Sequence, residues 1–270
     1  MLLSKHEHIA LSCVRSKISY ESKKIIPLIY SNKTKYVQYP KIAPMLIEFN
    51  KNILEDPLFH GDMCHVVWDR QNIYVNFAGT REPSDMLQNI DIRHQAIYKD
   101  IRVHKGYHDK FFNIEESLTK DIMHIIKEYP IKSIIFTGHS SGGAVALISS
   151  PYYGQLLKKM YITTHSFAST CVGNIHFLNW FNTYVNRNHR LEVEGDVIPY
   201  IPVHDAFYHV PNGILLKNDG TYETLDVIEP YSYIKIISML SNKKKRDFVN
   251  LCHSCDNYIM KLSHLHLHNI

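Results

Sequence analysis

The sequence lacks an apolar run long enough to cross a membrane: no segment approaches the ~18 uninterrupted apolar residues a spanning helix needs. It also lacks internal repeats and low-complexity linkers, which argues against a solenoid or a string of modules. Neither sign of charge is in large excess. Lys and Arg number 30 against 26 Asp and Glu, a net charge of +4 with histidine neutral. That balance, with no RNA- or DNA-binding motif, excludes nucleic acid as the expected partner. Cysteines are few and odd in number: Cys13, Cys64, Cys171, Cys252 and Cys255. Five scattered thiols do not make a disulfide framework, so a reducing compartment is expected. The opening residues, MLLSKHEHIALSCVRSK, are interrupted early by charge and offer no signal-peptide run. The expectation is an intracellular, cytoplasmic protein.

What is present suits one large α/β domain covering 1–270. Apolar residues make up 45% and charged residues 21% of the 270, enough for a substantial core. Residues 5–20 read as a helix with Ile9, Val14 and Ile18 on one side. Residues 1–60 as a whole read as an N-terminal wrapping segment, with a short helix near PMLIEFNKNIL. CHVVWDRQNIYVNFAGT reads as a hairpin turning at Asp69 to Asn72. Ser84 or Asp85 offers the N-cap of a following helix. In GYHDKFFNIEESLTKDIMHIIKEYP, Phe111, Ile114, Leu118, Ile122, Ile125 and Tyr129 keep helical spacing, so one helix is expected up to Pro130. IKSIIFT reads as a buried strand and SGGAVALISS as a helix stopped by Pro151. YITTHSFAS reads as a strand, IHFLNWFNTYV as a helix, and HRLEVEGD as a strand ending at Asp196. That alternation argues for a mostly parallel central sheet with helices on both faces.

Between the first of those strands and its helix lies FTGHSSGGAVAL, which contains a G-x-S-x-G pattern at Gly138, Ser140 and Gly142. A flexible turn can carry this pattern. A strand before it and a helix after it are also what a nucleophile on a sharp turn requires. Such a serine needs a base, and the base needs an acid to orient it. Asp196 follows a strand at the edge where open α/β sheets place their sites. Glu192 and Glu194 sit inside the strand and are less well placed. Of the later histidines, His209 is one candidate base. His253, after a long basic stretch that could set it on a loop, is the preferred one. The tail HLHLH, with His264, His266 and His268, has the shape of a strand or a frayed end. For the oxyanion, donors are expected from the Ser141 backbone N–H and from Thr80. Cys252 and Cys255 form a C-x-x-C with no second pair, so neither a metal nor a cofactor is expected.

The blocks VNFAGTREPSDMLQNI, VHKGYH, FTGHSSGGAVAL, SFASTCVGNIHF, GDVIPYIP and HSCDNYI, in this order, resemble the class 3 (fungal-type) lipases. The resemblance implies an α/β-hydrolase fold. It implies hydrolysis of carboxylic esters of lipids, acylglycerols or phospholipids, by a metal-free triad of Ser140, Asp196 and His253 with Thr80 at the oxyanion hole. It also implies a lipid ester as partner, met at a membrane or droplet surface. A thioesterase or peptidase on the same triad, or a non-catalytic lipid-binding scaffold, are the alternatives. Three positions depart from the family pattern: Ala78 stands where arginine is common, Ser141 where leucine is, and Met86 where tryptophan is. Residues 84–98, mixed apolar and charged, are expected to gate substrate entry or to pack as a fixed amphipathic helix.

Overall fold

The computed structural model describes residues 5–33, 42–80, 93–202, 207–225 and 243–265. Helix α1 (Lys5–Ile18) buries Ile9, Val14 and Ile18. Ser12, Arg15 and Ser16 of the same helix are buried as well. They are tolerated inside because the sheet beneath is polar to match. Ser16 Oγ lies 2.9 Å from Thr137 Oγ1, His165 Nδ1 lies 2.7 Å from Ser12 Oγ, and Arg15 Nε donates to Asn76 Oδ1 at 3.3 Å. The Arg15 guanidinium also stacks over Tyr74 and Phe49. Two short helices follow, α2 (Ile26–Tyr30) and α3 (Ala43–Asn50), each with proline in its first turn, where its missing N–H costs nothing.

After β1 (Leu58–His60) comes the expected hairpin, β2 (Cys64–Trp68) and β3 (Asn72–Phe77). Its turn closes where the Asp69 carboxylate accepts from the backbone N–H groups of Gln71 and Asn72, at 2.7 and 2.8 Å. The expected gating segment, and the helix cap at Ser84 or Asp85, fall largely outside the described residues. Its described end is not helical: β4 (His94–Ala96) pairs antiparallel with β5 (Arg102–His104).

The single helix expected up to Pro130 is two, α4 (Lys105–Phe112) and α5 (Glu115–Glu128). Phe111, Ile114, Leu118, Ile122 and Ile125 are all buried. The apolar stripe continues across the break, so spacing alone could not reveal it. Strand β6 (Ser133–His139) leads into α6 (Ser141–Leu156), which does not stop at Pro151 but runs through it. Pro151 leaves the Leu147 carbonyl without its helical donor. The Ser150 hydroxyl, 2.9 Å from Ala146 O and 3.5 Å from Leu147 O, compensates.

The remaining elements are β7 (Tyr161–Phe167), α7 (Ile175–Tyr184), β8 (Arg187–Val193), β9 (Gly213–Leu216), β10 (Tyr222–Leu225), α8 (Lys243–His253) and α9 (Cys255–His264). The main sheet has eight strands in the order β1-β2-β3-β6-β7-β8-β9-β10. Its centre, β3 to β9, is parallel, and an antiparallel hairpin finishes each edge. Helices α4 to α7 contribute to the core on one face, while α1 to α3 and α9 contribute to the other. Helix α6 is buried almost all round, which its small residues permit. No helix among the described residues is long and apolar enough to cross a membrane.

Candidate active site

The turn from β6 into α6 puts Ser140 at φ 58°, ψ −129°, a conformation that costs a non-glycine residue energy. The surroundings enforce it. The Ser140 N–H donates to Phe167 O at 2.9 Å, and the glycines on either side have no room for a Cβ. One on Gly138 would collide with the backbone of Gly142 and Gly143, and one on Gly142 with the backbone of Phe77 and Ala78. This is a rigid, strained and buried turn, not a flexible one.

The other predicted side chains converge on it. His253 Nε2 lies 2.9 Å from Ser140 Oγ, and His253 Nδ1 lies 2.9 Å from Asp196 Oδ2. All three residues are at most 2% exposed. Two local expectations are corrected. Strand β8 stops at Val193, and Asp196 follows a turn in which Gly195 takes φ 93°. His253 is on no loop: it is the last residue of α8, just before Ser254 caps α9 by accepting from Asn257 N. The junction of two helices holds a ring more firmly than a loop would.

Two groups that the sequence reading missed complete the arrangement. The Tyr258 hydroxyl donates to Asp196 Oδ2 at 2.8 Å and accepts from Val193 N at 3.2 Å, while Ile198 N donates to Asp196 Oδ1 at 3.0 Å. His139 Nε2 donates to the His253 carbonyl at 2.6 Å, and its Nδ1 lies 2.9 Å from the Tyr20 hydroxyl oxygen. Tyr258 was in view within HSCDNYI and His139 within FTGHSSG, but nothing in the spacing assigned them partners. Chemically, Asp196 fixes the imidazole with Nδ1–H donating, which leaves Nε2 to take the serine proton.

Beside Ser140, the Ser141 backbone N–H opens α6, whose N-terminal end favours negative charge. Ser141 Oγ lies 3.0 Å from Thr80 Oγ1, and Lys110 Nζ donates to the same Ser141 oxygen at 3.2 Å. Lys110 was not anticipated. Burial lowers its pKa.

The remaining candidates have other surroundings. His209 is buried beside Tyr200 and Arg190, and burial, with the Arg190 charge second, holds it well below the usual histidine range. Glu192 forms a buried ion pair with Arg190, and Glu194 accepts from Asn218 N at 2.8 Å. His264 ends α9, and His266 and His268 lie outside the described residues. The two thiols of the C-x-x-C face different neighbours: Cys252 lies against Gly195, whereas Cys255 meets Cys13 and His139. Burial raises the Cys255 thiol, but those contacts outweigh it and bring it down to about 5.

A mostly parallel sheet with a serine on a strained turn at the end of a central strand, followed along the chain by an aspartate and then a histidine hydrogen-bonded to it, is the arrangement of the α/β-hydrolase fold. Residues 74–206 match the family model described as lipase (class 3). Over 138 residues the chain is 28% identical to a lipase of Rhizomucor miehei, and over 124 residues 27% identical to a secreted mono- and diacylglycerol lipase of Malassezia globosa. These alignments cover 49% and 45% of this chain, and the matched stretches span 38% and 40% of the relatives. In fold, the chain superposes on a deletion mutant of Rhizomucor miehei lipase in its propeptide complex with a TM-score of 0.67 at 18% identity, covering 85% of this chain and 72% of that one. A triacylglycerol lipase whose catalytic centre is a serine protease triad gives 0.65 at 20% identity, covering 85% and 88%. Over residues 74–206, then, the chain is similar to the class 3 lipases.

Proposed function

We propose that this chain is a serine hydrolase that cleaves carboxylic esters of lipids through an acyl-enzyme. The observation that carries the reading is the unbroken hydrogen-bonded series from Ser140 through His253 to Asp196. Ser140 Oγ attacks the ester carbonyl while His253 Nε2 takes its proton. Asp196 stabilises the imidazolium that forms. The tetrahedral oxyanion is held by the Ser141 N–H and by Thr80, each such donor being worth roughly 3 kcal/mol of barrier. The alcohol leaves with the proton from His253, and a water activated by the same ring frees the acyl group. Acylglycerols or phospholipids are the proposed substrates, met at a membrane or droplet surface, and no cofactor enters the scheme. The five free cysteines support a reducing, intracellular setting.

A fluorophosphonate probe should label the protein at Ser140, and Ser140→Ala should lose both labelling and ester turnover while keeping its melting temperature. Unchanged turnover of a short-chain nitrophenyl ester by that variant would sink the nucleophile assignment. A panel of lipid esters, thioesters and peptides decides the substrate class.

A further inference from the structure

A hydroxyl can donate in only one direction at a time, and a free threonine hydroxyl beside an oxyanion hole is as ready to present lone pairs as a proton. The three polar groups at this site remove that freedom. An ammonium carries three donors and no acceptor. Lys110 Nζ, which donates to Ser141 Oγ at 3.2 Å, therefore commits that oxygen to accepting. The one proton of Ser141 is then left for Thr80 Oγ1, 3.0 Å away. Thr80 Oγ1 accepts it and cannot donate back, so its own proton turns toward the remaining side.

We infer that Lys110 and Ser141 orient the Thr80 hydroxyl, so that its proton, and not its lone pairs, faces the developing oxyanion. Lys110 is thus a positioning residue that acts through two hydroxyls. The inference rests on the hydrolase reading above. Its physical value lies in preorganisation: a donor already aimed needs no rotation at the moment charge develops.

The environment of Lys110 suits this role. On its own helix, α4, the nearest carboxylate is Asp109, which is engaged by Lys105 and His108. From the elements packed against it come the hydroxyls of Ser141 and Thr80, neither of which titrates in the working range. Burial lowers the Lys110 pKa, and no charged neighbour among the described residues contributes. The ammonium is therefore present below that lowered pKa and is lost as pH rises through it. A neutral amine accepts as well as donates, so above that point the direction of the series is no longer forced.

The test is the pH dependence of kcat on a soluble short-chain ester for wild type, Lys110→Met, Ser141→Ala and the double variant. Each single change should lower kcat about tenfold with little effect on KM, less than the loss of a whole oxyanion donor because Thr80 remains. The double variant should be no worse than either single one. Wild type should lose kcat at alkaline pH, and that fall should be absent from both single variants. Lys110→Arg, which keeps charge and donors, should retain kcat and carry the alkaline fall to higher pH; it also guards against a Lys110→Met variant that fails to fold. Additive losses, an alkaline fall that survives Lys110→Met, or an unchanged kcat would overturn the relay alone. A wild type that turns over no ester would overturn the hydrolase reading, and the relay with it.

Discussion

Tyr258 shows what one side chain adds to a triad. Its hydroxyl shares Asp196 Oδ2 with His253, so the carboxylate is held from two sides before it holds the ring. Tyr258→Phe should leave the fold intact at a cost of about 1–2 kcal/mol, because a fully buried carboxylate loses one donor. Turnover should fall about tenfold, as a looser Asp196 orients His253 less well. Equal rates for the two proteins would make the hydroxyl purely structural. Cys255 and His139 give a second residue-scale test. The thiol is brought down to about 5, against an ordinary 9.0, while contact with Cys255 outweighs burial and raises His139. A depressed acid contributes stability that is full above its ordinary pKa and is lost as pH falls toward about 5. A raised histidine contributes below its ordinary pKa and loses that contribution as pH rises through the raised one. The pair is therefore strongest between those limits. Cys255→Ser should flatten the decline of melting temperature from about pH 9 toward pH 5, and iodoacetamide should still alkylate Cys255 at pH 6, where ordinary thiols are protonated. A pH profile identical to wild type, with no labelling at pH 6, would remove the pair from the account.

At the scale of elements, β8 carries the sharpest contrast. Arg190 and Glu192 form an ion pair with both side chains about 1% exposed. Removing one partner leaves a buried charge without compensation, so Glu192→Gln should destabilise by about 3–5 kcal/mol. Replacing both by apolar residues, Arg190→Met with Glu192→Leu, should recover much of that loss, because desolvation of the charges disappears with them. Denaturant unfolding of the single and double variants measures the difference; a double variant no more stable than the single would show that the pair is held by more than mutual compensation. Strand β8 was legible as a strand in HRLEVEGD, whereas the ion pair was not. Two residues of one strand on the same face can meet, but the sequence does not say whether that face is wet or dry.

On the scale of the whole molecule, elements far apart along the sequence meet at the candidate site. Helix α1 lies against the sheet, and Cys13 of α1 meets Cys255 of α9, two residues after His253. Tyr20 reaches His139 beside Ser140. Removal of residues 1–20 would expose the surface that Ile9, Leu11, Val14 and Ile18 now cover, each worth about 1.5–3 kcal/mol, against a total stability of about 5–15 kcal/mol. The shortened chain should be insoluble or lack a cooperative thermal transition. A folded, active product lacking these residues would mean that the wrapping segment is dispensable.

The order of the elements, the parallel sheet and the sharp turn at Ser140 were legible in the sequence, because each depends on neighbours close along the chain: β-branched runs, helical spacing, and glycines flanking a serine. Asp196 and His253 could be named by chain order, though the local geometry of His253 could not, since a basic stretch before a histidine does not distinguish a loop from a helix end. The break between α4 and α5 and the passage of α6 through Pro151 also escaped, the first because the apolar stripe runs unbroken across it, the second because a serine hydroxyl stands in for the missing donor. Tyr258, His139 and Lys110 acquired meaning only from the fold. Their partners Asp196, His253 and Ser141 are distant along the chain or on a different element, and a hydrogen bond is directional over about 3 Å. Residue type and periodicity specify which face of an element is apolar; which polar atoms meet across two elements is decided only when the sheet and the helices have packed.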